Sequence, residues 1–188
     1  MHRIALLTAL LLCSLSVAAG TTTYRIDEGH TNVLASWSHG GYSNPSVNFG
    51  QVTGTLVYVD EDPTNSTLTV DLPLAGLSAF TSTFDEHLRG ERFFDAARYP
   101  TIKFTSTKVE VAGEGRLKVT GDLTIKATTQ PVELQVTVNK AGKNRDGKPK
   151  IGFDAVATVS RTAYGMGMAV PMVSDAVQLR ITSEWNAD

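Results

Sequence analysis

The chain has 188 residues, of which 41% are apolar and 19% charged, and its formal net charge is −2. This composition excludes a disordered or collagen-like chain and is typical of a globular domain. Because 17 Lys and Arg residues stand against 19 Asp and Glu residues, there is no basic excess for phosphate contacts, and nucleic acid is not expected as a partner.

The first residues have the pattern of a secretory signal peptide. Arg3 supplies a positive charge, residues 4–17 form an apolar stretch, and residues 17–19 offer a cleavage site. We therefore expect residues 1–19 to be a signal peptide that directs export, and residues 20–188 to form one domain. Cleavage would remove Cys13, the single cysteine, so no disulfide is expected. A lipoprotein with lipidated Cys13 is disfavoured because leucines, not a small residue, precede it.

Alternating apolar and polar residues predict eight β-strands. The pattern is clearest at 116–126, where Leu117, Val119, Leu123 and Ile125 share one face. The predicted strands cover residues 32–39, 46–60, 66–74, 101–111, 116–126, 132–139, 150–160 and 177–185. Short turns at 62–66, 113–115 and 146–147 predict antiparallel neighbours. Strands with one apolar face must hide it and their edges, so we predict an all-β, eight-stranded antiparallel barrel.

A short helix interrupts this pattern between predicted strands 3 and 4. Thr83 and Glu86 have the spacing of a capping box, and Gly90 can end the helix. The insertion is expected to flank or cover one end of the barrel.

A barrel of eight strands is either filled by its own side chains or holds one small ligand. Two small residues, Ala155 and Ala157, leave room on one wall, and rings and thioethers surround the irregular segments. The predicted apolar lining consists of Trp37, Phe49, Phe80, Phe84, Leu88, Phe94, Phe104, Phe153, Ala155, Ala157, Tyr164, Met166 and Met168. The alternative is an ordinary filled core.

Three polar residues, His39, His87 and Arg161, are candidates for contacts with a ligand head group. Each histidine can instead join the helix to the strands by hydrogen bonds. Arg161 and Arg89 can instead form buried ion pairs with Asp85 or Asp95.

Metal and nucleophile motifs are absent from the sequence. The histidines lack the close spacing of a zinc site, and no nucleophile elbow or phosphate loop follows a strand. We therefore expect no catalytic residues, no metal and no cofactor other than a bound lipid. Two alternatives stay open. One is a secreted hydrolase or metalloenzyme that uses His39 or His87. The other is an interaction module without ligand, which binds through an edge or through the basic hairpin at 140–150.

Several segments resemble the YceI-like family of periplasmic proteins. The opening part contributes Ile26-Asp27, His30-Thr31, Val33, Trp37, His39, Gly41, Ser43, Phe49 and Gly54; the middle contributes Asp85, His87-Leu88-Arg89, Phe93-Phe94-Asp95, Tyr99-Pro100, Ile102, Phe104 and Ser106; and later segments contribute Gly121-Asp122-Leu123-Thr124-Ile125, Thr129, Pro131, Val132, Arg161 and Tyr164-Gly165-Met166. The matches follow the family order from Tyr24 to Trp185. Phe80, Ala127-Thr128 and Ala163 depart from the family pattern.

The resemblance implies a lipocalin-like barrel in the periplasm. It also implies that a polyisoprenoid, an isoprenoid quinone or a fatty-acid derivative is bound inside, as cargo to be transported or sequestered. A lipid is therefore the expected partner, with membrane contact without integral insertion and a homodimer as further expectations.

Overall fold

A computed structural model describes residues 20–188; the predicted signal peptide lies outside the described residues. The strands are β1 (Thr21–Ser36), β2 (Ser46–Phe49), β3 (Thr53–Val59), β4 (Thr67–Pro73), β5 (Leu77–Ser78), β6 (Thr101–Gly113), β7 (Arg116–Ile125), β8 (Thr128–Lys143), β9 (Pro149–Ser160) and β10 (Ala176–Ala187). One α-helix, α1 (Ser82–Arg89), and three 3₁₀ turns (Pro63–Asn65, Leu74–Gly76, Thr162–Tyr164) complete the described secondary structure. No helix in this part of the chain is long and apolar enough to cross a membrane.

All strands belong to one sheet that closes into a barrel. The sheet order is β10-β9-β8-β7-β6-β4-β3-β1-β2-β5, and β10 also pairs with β1. β3 and β2 pair with successive parts of β1, while β4 and β5 pair with β3 and β2. β2 and β3 therefore share one position of the barrel, and β4 and β5 share the next, so that ten strands fill eight positions. The predicted eight-stranded antiparallel barrel is confirmed.

The first strand begins eleven residues earlier than predicted, at Thr21, and ends at Ser36. Its pairing with β10 shifts register between Asp27 and Asn32. The bulge changes which residues point inward: Tyr24 and Ile26 do so before it, and Val33 and Ala35 after it. Because the inward positions change from even to odd numbers at the bulge, the first half of β1 does not continue the alternation of the second half, and the sequence pattern did not predict it. His39 therefore lies in the loop beyond the strand.

The predicted strand 46–60 is divided into β2 and β3. At the break, the N–H of Gly50 donates to the carbonyl of Gly76 at 2.9 Å, and Gln51 has a positive φ of 55°. A side chain on Gly76 would overlap the backbone of Gly50. These two backbones approach closely at the break between β2 and β3 and between β4 and β5, where the chain changes direction while the sheet stays closed.

The insertion between β5 and β6 contains α1, as predicted between the third and fourth barrel positions. The predicted capping box is wrong: the N-cap is Thr81, whose hydroxyl accepts from the N–H of Phe84 at 3.4 Å. Asp85 accepts a hydrogen bond from the N–H of Ala79, which fixes the start of the helix before Thr83. Gly90 ends the helix, and its N–H donates to the carbonyls of Glu86 and His87.

Arg89 joins α1 to the barrel. Its guanidinium donates to the carbonyls of Leu74 at 2.8 Å, Ala75 at 3.3 Å and Leu77. The alternative of an ion pair with Asp85 or Asp95 is therefore wrong, because the backbone carbonyls of residues 74–77 occupy the donors of the guanidinium. The helix is thus fixed over one end of the barrel, which we call the helix end. The turns 60–66, 114–115 and 144–148 lie at the opposite end.

Candidate functional site

A cavity of about 450 Å³ runs inside the barrel. All eight strand positions and the loops of the helix end contribute to its wall. Its volume is in the usual range of small-molecule sites. The barrel interior is therefore only partly filled by its own side chains, and a completely filled core is excluded.

Most of the predicted lining residues face this cavity. They are Trp37, Phe49, Phe84, Leu88, Phe94, Phe104, Phe153, Ala155, Tyr164, Met166 and Met168, together with the polar candidates His39, His87 and Arg161. The barrel brings these side chains together from segments more than 100 residues apart in the sequence.

Two predicted lining residues do not line the cavity. Phe80 is 71% exposed and has a positive φ of 69°, so the turn before α1 directs it away from the barrel. Ala157 is only partly buried and packs against the core, next to its β10 partner Leu179. Leu179 lines the cavity, whereas Ala157 does not.

Sequence reasoning missed a large part of the wall. The missed residues come from nearly every strand and include Ile26, Val33, Ala35, Leu56, Tyr58, Leu68, Val70, Leu117, Val119, Val132, Leu134, Val136, Val177, Leu179, Ile181 and Trp185. Alternation identified most of these side chains as inward. The alternation pattern cannot show whether an inward side chain packs against other side chains or faces an open cavity, because an apolar residue is needed in both cases.

An aromatic row lies at the helix end of the cavity. The rings of Trp37 and Phe84 are 6.1 Å apart, Phe84 stacks on His87 at 6.1 Å and 22°, and His87 lies 4.8 Å from Phe93. Phe84, His87 and Leu88 share one face of α1 because they are three or four residues apart. His39, His87 and Met168 line the cavity and are also exposed, which places the mouth at this end.

Arg161 is buried beside the mouth, at 7% exposure. It donates to the carbonyls of Ser174 at 2.8 Å, Met168 at 2.9 Å, Val173 at 2.9 Å and Met166. Burial lowers the pKa of this guanidinium, and the charge of Asp175 opposes the shift. Neither Asp85 nor Asp95 pairs with it; Asp95 instead pairs with Arg98 at 3.3 Å. Arg161 thus holds the loop 162–175 in shape and has few donors left for a head group.

Only one group of potential metal ligands comes together within residues 20–188: Asp27, His30 and Glu184. It lies away from His39 and His87. His30 is 3.0 Å from Asp27, and the ammonium of Lys150 lies 2.5 Å from Glu184 and 3.6 Å from Asp27. Burial alone would raise the pKa of Asp27, but hydrogen bonds from His30 and Asn186 and the nearby positive charges outweigh it and lower the pKa. The group forms an ion-pair network in which Lys150 supplies the cation.

Two residues that line the cavity have buried hydroxyl groups without a hydrogen-bond partner among the described residues. They belong to Thr31, which is 6% exposed, and Tyr164, which is 2% exposed. Burial raises the pKa of Tyr164, so its hydroxyl stays protonated and can donate. Two buried serines of the wall accept hydrogen bonds: Ser66 accepts from the N–H of Val59, and Ser183 accepts from the indole of Trp185.

Two loops around the mouth, 37–45 and 162–174, contain no Asp, Glu, Lys or Arg. They are joined by hydrogen bonds between Gly40 and Met172 at 2.7 Å and between Ser38 and Ser174 at 2.9 Å. Their exposed side chains include Tyr42, at 94%, and Met172, at 75%. We call these two loops the uncharged rim. The basic residues Lys143, Arg145 and Lys148 lie at the opposite end of the barrel.

Comparison with known sequences gives a match over most of the described chain. Residues 24–185 match the model of the YceI-like domain family. A UPF0312 protein of Pseudomonas putida is 35% identical over 165 residues, which cover 87% of this chain and 84% of that protein. A UPF0312 protein of Pseudomonas syringae is 36% identical over 183 residues, which cover 96% of this chain and 93% of that protein.

Comparison with solved structures gives the same barrel. The YceI protein of Campylobacter jejuni has a TM-score of 0.73 at 28% identity and covers 78% of this chain and 86% of its own. BcnA of Burkholderia cenocepacia has a TM-score of 0.77 at 23% identity and covers 85% and 98%. A polyisoprenoid-binding domain from Saccharophagus degradans has a TM-score of 0.68 at 12% identity and covers 89% and 99%. The last two comparisons are evidence for the fold alone.

Proposed function

Since the chain belongs to the YceI-like family and its barrel encloses an apolar cavity, we propose that it is a carrier of a long apolar ligand. Polyisoprenoids, isoprenoid quinones and fatty-acid derivatives are the proposed ligand classes. The observation that carries the proposal is the cavity of about 450 Å³, whose wall is apolar apart from a few hydroxyls, two histidines and Arg161. A protein of the same fold is described as a polyisoprenoid-binding domain, and we propose the same class of ligand here.

The physical basis of binding is removal of the ligand chain from water. Each buried methylene contributes about 0.8 kcal/mol, so a long chain binds with few polar contacts. The lining also contains Met166 and Met168, and thioethers adapt their shape to irregular chains. Such a wall favours an elongated apolar molecule over a polar one of fixed shape.

The place of action that we propose is the periplasm, with transport or sequestration of the ligand as the role. This follows from the signal-peptide pattern of residues 1–19. The uncharged rim supports a contact between the mouth and the surface of a lipid bilayer, because an exposed Tyr and Met can enter the headgroup region without burying a charge. Binding, not catalysis, is the proposed activity.

A substitution in the cavity wall tests the proposal. Ala155 is buried, lines the cavity and pairs with Ile181, which also lines it. Ala155→Phe should fill the cavity and lower affinity for a fluorescent apolar probe such as N-phenyl-1-naphthylamine at least tenfold. Protein purified without detergent should carry an extractable lipid, seen by native mass spectrometry, and the variant should carry less.

Val156→Phe is the matched control, since Val156 is the next residue of β9 and points outward at 50% exposure. It should leave probe affinity unchanged. Wild-type protein that binds no apolar probe and carries no lipid would exclude the carrier function. Equal losses in both variants would show that the effect does not come from the cavity.

A further inference from the structure

The methionines of the chain are concentrated beside the mouth of the cavity. The sequence contains four methionines, and those other than Met1 are Met166, Met168 and Met172. All three lie in the loop 162–174, which is one of the two loops of the uncharged rim. The single cysteine, Cys13, falls in the predicted signal peptide, so every sulfur atom of residues 20–188 belongs to one of these three thioethers. The oxidisable sulfur of the domain is therefore gathered in one loop at the entrance of the ligand site.

The three thioether side chains differ in their access to solvent. Met172 is 75% exposed, Met168 is 38% exposed and Met166 is 6% exposed. Met166 and Met168 also line the cavity, so Met168 is open to solvent and borders the ligand space as well. The backbone here is held by hydrogen bonds, since Arg161 donates to the carbonyls of Met166 and Met168, and Gly40 donates to the carbonyl of Met172 at 2.7 Å. The different exposures therefore predict different reactivities.

A thioether that is open to solvent reacts with peroxides. An electron pair of the sulfur attacks one oxygen of hydrogen peroxide, the S–O bond forms and the O–O bond breaks, and the second oxygen leaves with both protons as water. The sulfur is oxidised by two electrons to a sulfoxide, which is polar, whereas the thioether is apolar. Methionine sulfoxide reductases reverse the step: two thiols are oxidised to a disulfide, and the sulfoxide oxygen is released as water.

We infer that Met168 and Met172 are sites of reversible sulfoxidation by peroxides, and that this modification lowers the uptake of apolar ligands through the mouth. At Met168 the new oxygen borders the cavity, where a bound apolar chain removes its water without offering a hydrogen-bond donor. At Met172 it stands on the surface that we propose for contact with the bilayer, which depends on an apolar side chain. The inference rests on the proposed carrier function and adds a chemical control of it.

Met166 is the internal comparison. It is almost fully buried and belongs to the core of the barrel, so a peroxide reaches it slowly. A sulfoxide at this position would place a polar oxygen among apolar side chains and destabilise the fold. The control of ligand uptake is therefore assigned to the two exposed methionines, and peroxide treatment has to end before Met166 reacts.

Timed oxidation of the purified protein tests the order of reaction. Hydrogen peroxide is added, removed with catalase at intervals, and the oxidation of each methionine is followed by peptide mass spectrometry. Met172 should react first and Met168 next, and Met166 should react about tenfold more slowly than Met172, as its burial requires. The unfolding temperature should stay at the untreated value as long as Met166 is unmodified.

Two functional measurements separate the two exposed sites. Affinity for N-phenyl-1-naphthylamine in solution should fall by about threefold to tenfold as Met168 is oxidised, because a polar group is partly desolvated by the bound probe. Transfer of a fluorescent lipid analogue from phosphatidylcholine vesicles should slow severalfold as Met172 is oxidised. Methionine sulfoxide reductase with dithiothreitol should restore both values.

Met168→Leu and Met172→Leu are the matched variants, since leucine has a similar volume and no sulfur. Peroxide should leave the probe affinity of Met168→Leu unchanged. A short treatment that oxidises only Met172 in the wild type should leave the transfer rate of Met172→Leu unchanged.

Several outcomes would overturn the inference. They are equal oxidation rates of the three methionines, an oxidised wild type that keeps its probe affinity or its transfer rate, losses of the same size in the leucine variants, or losses that persist after the reductase has removed the sulfoxides. Failure of the carrier function is distinguishable, because the untreated wild type would then bind no probe, while the order of oxidation in the mass spectra would stay the same.

Discussion

Gly121 on β7 shows how closely the wall of the barrel is packed. It pairs with Ser106 on β6 and Val132 on β8. A Cβ atom at this position would overlap the ring of Phe104 and lie 2.6 Å from the carbonyl oxygen of Thr105. The space above Gly121 is therefore occupied by Phe104, one of the side chains that line the cavity.

Gly121→Ala is expected to destabilise the fold by about 1–3 kcal/mol, the usual cost of overpacking, because the ring of Phe104 must move toward the cavity. Urea unfolding measures the free energy of unfolding, and probe titration measures the remaining cavity. Gly152→Ala is the control, since its nearest neighbour, the carbonyl oxygen of Ser183, is 3.8 Å away. Equal stability of the two variants would contradict this account.

Single residues also show the limit of sequence reasoning. Ala155 and Ala157 have the same period on β9, yet only Ala155 lines the cavity. The sequence offers a ligand head group or a carboxylate as the partner of Arg161 and a carboxylate as an alternative for Arg89, but both guanidinium groups bind backbone carbonyls. A carbonyl acceptor is present at every residue, so no side-chain pattern can predict which loop will bring its carbonyls to an arginine.

At the scale of elements, the loop 162–175 depends on one carboxylate as well as on Arg161. Asp175 accepts from the hydroxyl of Ser160 at 2.7 Å and from the N–H of Thr162 at 2.8 Å. These hydrogen bonds, from Ser160 first and then Thr162, lower the pKa of Asp175 below its ordinary value of 3.8. The carboxylate thus connects the end of β9 to the start of β10.

The pH dependence of this contact follows from the lowered pKa. A carboxyl whose pKa is lower in the folded state stabilises the fold above its unfolded pKa, and this contribution is lost as the pH falls through the folded value. Asp175→Asn should therefore lower the unfolding temperature at pH 7, and its difference from wild type should shrink below about pH 4.

Thermal unfolding followed by circular dichroism at pH 7, 5 and 3 measures that difference, with Asp154→Asn on the exposed side of β9 as the control. A gap between Asp175→Asn and wild type that stays constant at all three pH values would show that the charge of Asp175 is not responsible.

The elements themselves were largely predictable. β7 and β10 have unbroken alternation, and both were located within one or two residues. The first half of β1 was not, because the bulge between Asp27 and Asn32 reverses the phase of the pattern. The break at Gly50 depends on contact with Gly76 from a distant turn, which no local pattern contains.

At the scale of the whole molecule, two surfaces at opposite ends of the barrel differ in charge. The uncharged rim borders the mouth, and the basic hairpin with Lys143, Arg145 and Lys148 lies at the opposite end. If the mouth meets the bilayer, exchange of ligand should depend on apolar contact and not on salt, since salt screens interactions between exposed charges.

Tyr42→Ser combined with Met172→Ser should slow the transfer of a fluorescent lipid analogue from phosphatidylcholine vesicles severalfold, without changing affinity for the probe in solution. Stopped-flow fluorescence at low and high salt measures the transfer rate. Lys143→Glu with Lys148→Glu is the control and should leave the rate unchanged. A rate that falls with salt and with the lysine substitutions would instead assign the bilayer contact to the basic hairpin.

Closure of the barrel by the pairing of β10 with β1 makes the first strand depend on the last. Tyr24 lies opposite Ala187 and Ala35 opposite Leu179, so the first strand acquires its last partner only when the C-terminal strand is present. Contacts between such distant residues require closure of a very long loop and make folding slow. Until β10 arrives, β1 and β9 each present an unpaired edge that can add a foreign strand. Loss of the end of β10 would leave these two edges open, so truncation of a few C-terminal residues, which include the buried Trp185, should promote aggregation as well as lower stability.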